Sequence, residues 1–546
     1  MASLWPWLLL LAPALGYLTW RRILAYLRYF QQEGYEPRRF LQWANVRSLT
    51  DPAFWLSIGT AFLSLAAPRA ASVTFIAGAV ILGLFQPDPR RSGKIPLRLT
   101  WRARRVLVVT LTLAYAVWVL LTVVLRASGL QAPLAAASFL CAALPLVIVL
   151  ANACLTPYER RVQRRYEAEA VQRIARVHPA IVGITGSYGK SSAKSVLAHV
   201  LQFDGPTLAA SGSINTLMGI TRHIREQLVP GHKYMVVEMG AFRTGSIRRL
   251  CQLTPPTAGL ITAVGDMHLE RFGSVEEIVR AKSELAWAIP PGGLLVVNAD
   301  SPGALRIARS ATQCRVLLYG ESSPEDLATR IEDVAFSSRG TTFVLRMKDR
   351  TYSCFTPLLG RPLAMNVAGA VTLAIAMGVD ADIAVAALRT LKPVSNRMEV
   401  LEERGVTWIR DAYSSNQFGF RAALEVAAAL PVARRFLATP GCIELGAQQF
   451  EVNRALSREA AEVCDNTLVV SDTNADAFVA GHHDAGREAR LVRVSTRTEA
   501  FRWIGQMVKD GDLVILENDL PDLYEHTAGV FWAARAPRPG AQVKVS

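Results

Sequence analysis

The chain has 546 residues, room for three or more domains at ~100–200 residues each. Half of it (51%) is apolar and its mean hydropathy is positive, which excludes a disordered chain. Residues 1–180 hold 21 Lys and Arg against 7 Asp and Glu, and the remainder holds 39 against 38, so the net charge of +15 excludes a uniformly basic nucleic-acid binder.

The basic excess sits in an otherwise apolar N-terminal third, a pattern that points to a membrane. Five apolar runs follow one another there: Leu4–Trp20, Ala53–Ala67, Ala71–Gln86, Val106–Leu125 and Leu134–Leu155. A hydrocarbon core of ~30 Å needs about 20 helical residues. The first, fourth and fifth runs approach or meet that length. The middle two are short and read as a tight hairpin broken at Pro68-Arg69-Ala70, or as one re-entrant segment. The first run is followed, not preceded, by Arg21 and Arg22, which argues against a cleaved signal peptide.

Basic residues cluster after the first, third and fifth runs. Alternation then puts the N-terminus outside and the large remainder of the chain in the cytoplasm. This reading makes residues 1–157 a multi-pass cell-membrane region of about five helices. Residues 158–179 are charged and helix-prone, either an amphipathic connector on acidic headgroups or a solvated helix. The seven cysteines are scattered without a CxxC pair, so neither a disulfide framework nor a zinc ribbon is expected. Reduced thiols in a cytosolic body are expected instead.

From Ala180 the pattern changes to alternating strands and helices, the mark of a mostly parallel α/β sheet. The apolar strand Ala180–Ile184 leads into Thr185-Gly186-Ser187-Tyr188-Gly189-Lys190-Ser191-Ser192, then a helix. These are the parts of a phosphate-binding loop, although Ile184 stands where the general nucleotide-loop pattern has its first glycine. Glycines let backbone N–H groups converge on phosphate oxygens, Lys190 reaches the outer phosphates, and Ser191 can ligate magnesium. A second apolar strand, Tyr234–Val237, ends in Glu238, where a carboxylate beside such a loop holds Mg2+. Further strands are expected at Leu260–Val264 and Leu294–Asp300, with a helix at Glu276–Ala288 that carries Lys282.

These residues resemble the Mur ligases, in particular the MurF subgroup. Thr185–Ser192 is similar to their phosphate loop, which also lacks that first glycine. Glu238-Met239-Gly240-Ala241, His268–Ser274, Ala281-Lys282-Ser283-Glu284, Asn396-Arg397-Met398-Glu399, Asp411–Asn416 and Glu444-Leu445-Gly446 match family motifs in order. The resemblance implies a central ATP-binding domain over 180–393 and a Rossmann-like C-terminal α/β domain over 394–546. It implies that Thr185, Gly186, Ser187, Gly189, Lys190, Ser191 and Ser192 hold ATP phosphates. Ser191, Glu238 and His268 would serve Mg2+, and Lys282 matches a lysine carbamylated in several members. Asn366 would contact adenine, Asp411 the ribose, and Arg397 a phosphate from the third domain. Lys190, Lys282, His268 and Arg397 are the implied catalytic set.

The chain departs from the family in places. Mur ligases begin with a domain that binds the UDP-sugar end of the substrate; here membrane runs stand in that place, which favours a lipid-linked or polymeric acceptor. Pro362 and Leu363 replace the first pair of the family's H-N-x-x-N. Arg410 replaces an aspartate, and Glu517-Asn518-Asp519 is acidic where MurF is basic. The implied activity is ATP-driven amide formation between an amino-acid or peptide amine and a carboxylate acceptor in cell-envelope synthesis, through an acyl phosphate. A polymer-forming ligase similar to the poly-γ-glutamate synthetases, and a nucleotide-binding scaffold, are the rival readings. No nucleic-acid partner is expected.

Overall fold

A computed structural model describes residues 5–48, 51–85, 88–91, 96–124, 131–241, 243–265, 269–393, 395–412, 416–443 and 445–518. They form two compact units, divided after Val162.

The first unit is helical: α1 (Trp5–Gln32), α2 (Pro37–Ser48), α3 (Pro52–Ala66), α4 (Pro68–Phe85), α5 (Trp101–Val124) and the start of α6 (Gln131–Val177). Among the described residues, α4, α5 and α6 are long and apolar enough to cross a membrane, by length and composition alone. They hold the third, fourth and fifth apolar runs. The first run lies in α1 and the second in the 15-residue α3, so length and composition support three of the five expected spans. Helices α3 and α4 pack as a hairpin with only Ala67 between them, because Pro68 starts α4 where its missing N–H costs nothing.

Helix α1 also runs further than its apolar run. Ile23, Leu24, Leu27 and Phe30 continue a buried stripe past Trp20, so Arg21, Arg22 and Arg28 are helical and not in a loop. Arg22 is fully buried and pairs with Asp51 at 2.6 Å. The second oxygen of Asp51 accepts from the Ala53 N–H at 3.0 Å and caps α3.

The second unit opens with the end of α6. Ala170 of α6 is buried, with Ile174 and Val177 packed alongside, and Glu169 pairs with Arg225 at 2.7 Å. The chain then builds β1 (Ala180–Thr185), α7 (Lys190–Leu201), β2 (Thr207–Ala209), α8 (Leu217–Gln227), β3 (Tyr234–Glu238), α9 (Ser246–Leu253), β4 (Ala258–Ile261), α10 (Leu269–Phe272), α11 (Val275–Ala288), β5 (Leu294–Asn298), α12 (Pro302–Ser310) and β6 (Arg315–Gly320). Strands β7 (Thr329–Ser337), β8 (Gly340–Met347) and β9 (Thr351–Thr356) and helices α13 (Arg361–Ala376) and α14 (Ala381–Ala387) complete this part.

Among the described residues the sheet order is β2-β3-β1-β4-β5-β6-β7-β8-β9, parallel from β2 to β7 and antiparallel thereafter. Strands β3 and β4 are buried along their whole length, as near-continuous apolar strands in a two-sided parallel sheet must be. Helix α13 is apolar almost all round because it lies inside this core, against α7. From β1 the chain builds outward to β3 and β2 on one side and to β4 on the other. The strand ends beside β1 therefore form the crevice where α/β sheets bind ligands.

The C-terminal sheet comprises β10 (Glu399–Glu403), β11 (Val406–Asp411), β12 (Arg435–Thr439), β13 (Asn466–Val470), β14 (Leu491–Val494) and β15 (Leu513–Glu517). Helices α15 (Gln417–Ala429), α16 (Gln449–Val463), α17 (Ala475–Asp484) and α18 (Arg497–Met507) connect the strands. The order is β10-β11-β15-β12-β13-β14, with only the β10–β11 pair antiparallel. This stretch is therefore α/β, as the resemblance implies.

Candidate active site

Strand β1 delivers the phosphate loop between two neighbours whose register places their ends beside it. Ile184 is level with Glu238 of β3, and Thr185 with Ile261 of β4. The loop is tied to both. Thr185 donates to the Met239 carbonyl at 2.9 Å, the Ser187 hydroxyl to the Gly265 carbonyl at 3.1 Å, and the Ser187 N–H to the Ala263 carbonyl at 2.7 Å. Thr262 closes the loop from below by donating to the Tyr188 carbonyl at 2.5 Å. Two glycines are obligatory. A Cβ on Gly186 would stand 1.9 Å from Thr262 Oγ1, and one on Gly189, at φ +78°, would stand 2.4 Å from Asn366 Oδ1.

Gly189 also starts α7 with no side-chain cap. The N–H groups of Lys190, Ser191 and Ser192 therefore open into the crevice at the positive end of the helix. Lys190 Nζ folds back onto the Gly186 and Ser187 carbonyls, at 2.8 and 3.0 Å. Lys282, buried on α11, reaches the same Gly186 carbonyl at 2.8 Å. Enclosure pulls the Lys190 amine down to about 8; Glu238 opposes this and Arg397 adds to it. Burial, with Lys190 nearby, holds Lys282 well below the ordinary lysine range.

Ser191 Oγ lies 3.1 Å from Ser213 Oγ and accepts from Arg397 Nη2 at 3.3 Å. Arg397 comes from the start of the C-terminal sheet, flanked by Asn396 and Met398, both at positive φ (57° and 49°). Such strain in non-glycine residues persists where the surroundings over-determine it. Asp411 ends β11 close to Arg397. Burial pushes its carboxyl up to about 6, against the pull of Arg397 and a hydrogen bond from the Met398 backbone. Glu238 is buried at the end of β3; its oxygens accept from Lys194 Nζ at 3.3 Å and Asn215 Nδ2 at 3.1 Å.

The structure thus brings together Lys190, Ser191, Glu238, Lys282, Arg397 and the loop glycines, with Asp411 beside Arg397. Asn366 sits buried against Gly189, under the loop. His268 lies outside the described residues, as does Glu444.

Family models match two stretches: Mur ligase middle domain over residues 184–374, and Mur ligase, glutamate ligase domain over 396–517. UDP-N-acetylmuramoyl-tripeptide--D-alanyl-D-alanine ligase of Mycobacterium tuberculosis is 30% identical over 363 residues, 62% of this chain and 70% of the relative. The enzyme of the same name from Escherichia coli is 29% identical over 352 residues, 63% and 77% of the two chains.

The chain belongs to the Mur ligase family.

It is accordingly an ATP-dependent ligase of the amide-forming class, working with ATP and Mg2+. Among solved structures, MurF from Acinetobacter baumannii matches with a TM-score of 0.60 at 23% identity, covering 67% of this chain and 79% of that one. MurF from Thermotoga maritima, in complex with ADP, matches at 0.59 and 22%, covering 68% and 83%. At these identities the likeness is one of fold. In this Mur ligase the donors near the loop fit Mg2+, since a serine hydroxyl and a buried carboxylate are hard oxygen ligands.

Pattern reading missed Lys194, Asn215 and Thr262. Lys194 had a usable signal: three and four residues after Ser191 and Lys190, it shares their side of α7. Asn215 and Thr262 carry none, because loops fold them onto the site.

Proposed function

We propose that this chain is a membrane-anchored Mur-type ligase with its catalytic domains in the cytoplasm. It joins an amino-acid or peptide amine to a carboxylate acceptor of envelope synthesis, and that acceptor is lipid-linked. One observation carries the chemistry: Lys190, Lys282, Arg397, Ser191 and Glu238 converge on one uncapped helix N-terminus. The apolar helices of the first unit support the anchor.

In this reading the loop N–H groups and Lys190 hold the ATP phosphates, and Arg397 reaches them from the C-terminal sheet. Asp411 takes the ribose, and Asn366 bears on the nucleotide through Gly189. Ser191 and Glu238 hold Mg2+, which neutralises phosphate charge when bound. The acceptor carboxylate oxygen attacks the γ-phosphorus, and the bond to the β-phosphate oxygen breaks, releasing ADP. The amine nitrogen then attacks the acyl carbon. Phosphate leaves with the bonding pair, and the nitrogen loses its extra proton. Cations around the transferring group stabilise its spread charge.

The test is phosphate release by the full chain in detergent, with labelled amino acids and UDP-linked or lipid-linked acceptors. Release that depends on both amine and acceptor, with product on the lipid-linked acceptor, is expected. Product on UDP-linked acceptors alone overturns the lipid-linked reading. ATP binding without release on any acceptor overturns the ligase reading in favour of a scaffold.

A further inference from the structure

Glu238 is buried among β3, α7 and the loop before α8, and a buried carboxylate is costly without a counter-charge. Here the counter-charge is Lys194, also buried. Its ammonium has three donors. One serves Glu238 Oε2 at 3.3 Å and another the Gly212 carbonyl. The same loop supplies Asn215 to Glu238 Oε1, Ser213 to Ser191, and the Asn215 carbonyl to the Gly240 N–H at 3.3 Å. Loop 212–215 therefore touches both residues assigned to Mg2+, and Lys194 ties Glu238 to it.

We propose that Lys194 is a positioning residue that acts as an internal counter-ion for Glu238, so that the site refuses a free divalent cation and admits it only with a nucleotide. This rests on the assignment of Ser191 and Glu238 to the metal. Without nucleotide, an incoming dication meets a carboxylate already neutralised and an ammonium close by, which repels it. With nucleotide, the phosphate oxygens supply further ligands and negative charge, and the balance reverses.

Mn2+ binding to the full chain in detergent, read by electron paramagnetic resonance with and without ADP, tests this. Wild type is expected to bind Mn2+ with ADP and weakly without it. Lys194→Met and Lys194→Gln are expected to bind Mn2+ without ADP at least about tenfold more tightly, the gain expected from removing a like charge a few ångströms away. The added substitution Glu238→Gln should abolish that gain. Lys194→Arg keeps the charge and should behave as wild type. Lys194→Gln also keeps a donor for the Gly212 carbonyl, and it serves where Lys194→Met fails to fold. If Lys194→Gln binds ADP with Mn2+ but gains nothing without ADP, the inference falls alone. It also falls alone if Lys194→Arg loses the discrimination as fully as Lys194→Gln. If wild type fails to bind Mn2+ even with ADP, the metal-site assignment falls and takes the inference with it.

Discussion

Lys190 and Lys282 donate to the same acceptor, the carbonyl oxygen of Gly186, each at 2.8 Å, although 92 positions separate them. One peptide oxygen holds two amines that repel each other when charged. Burial lowers both pKa values: Lys190 to about 8, with Arg397 adding to the shift, and Lys282 well below the ordinary lysine range, with Lys190 adding to it. Under the proposed function the two lysines are expected to take different roles.

Under the proposed function, Lys190 is expected to face the ATP phosphates. Replacing it by Met removes a half-buried cation that faces another lysine, so the melting temperature is expected to hold or rise. Phosphate release is expected to fall by ~10²–10³-fold or more, the cost of losing one donor to developing charge. A steady-state phosphate assay beside a thermal melt checks both. A variant that melts lower, with turnover intact, contradicts this role.

Under the proposed function, Lys282 is expected to be the nucleophilic amine. Its neutral form can add to carbon dioxide and become a carbamate, which agrees with the lysine it matches in the family. With ¹³C-labelled bicarbonate, a carbamate resonance is expected in the full chain and none in Lys282→Arg. Turnover of that variant is expected to fall at least ~10²-fold, since an arginine cannot be carbamylated. A wild-type spectrum without the resonance contradicts the assignment.

Much of this site was legible because its parts are local. A strand, a glycine turn and a helix are contiguous in sequence, and strand ends announce themselves where an apolar run meets Glu238 or Asp411. What pattern could not give were residues whose role is to hold another residue. Lys194 lies on the Lys190 and Ser191 side of α7, but its task shows only once Glu238 is seen beside it. Asn215 and Thr262 reach the site through loops. The antiparallel strands β7–β9 escaped expectation because their alternation is half-buried and weak. Helix α1 outran its apolar run because a helix needs only one buried stripe, and hydropathy averaging counts Arg21 and Arg22 against it.

Asp411 links pH to binding and stability in opposite senses. Its folded pKa, about 6, lies above its ordinary 3.8, so the folded state takes up a proton first. Stability from this group therefore rises as pH falls from about 6 toward 3.8. Under the proposed function ribose hydroxyls donate to the ionised carboxylate, so ADP affinity should weaken as pH falls through about 6. Calorimetric titration of ADP between pH 7 and 5 reads the step. Asp411→Asn is expected to bind ADP more weakly at pH 7 and to show no step.

His482 sets an acid limit on the C-terminal sheet. It is fully buried between α16 and α17, with Nδ1 2.7 Å from Ser457 Oγ. Burial lowers its pKa below the ordinary 6.5, so the unfolded chain binds the proton more readily. Stability from this group is present above 6.5 and is lost as pH falls below it. The melting temperature should drop on going from pH 7 to 5.5. His482→Asn, which keeps a polar partner for Ser457 without titrating, should flatten that drop while lowering the melt at pH 7.

Gly189 and Asn366 make the tightest steric claim in the site. Gly189→Ala adds a Cβ 2.4 Å from Asn366 Oδ1, at a φ of +78° that L-residues rarely adopt. The left-handed strain alone costs about 1–2 kcal/mol. The clash adds to it unless Asn366 moves, and moving Asn366 disturbs the loop that starts α7. Gly189→Ala is expected to lower the melting temperature and weaken ADP binding at least ~10-fold, since displaced N–H donors no longer converge on phosphate. Asn366→Ala removes the colliding atoms. In the double variant Gly189→Ala with Asn366→Ala, the steric part of the stability loss should return while the backbone strain remains. The cycle is expected to show a coupling of about 0.5–3 kcal/mol, as for residues in contact. Additive losses would mean that Asn366 does not bear on the loop, and its nucleotide role would go with that contact.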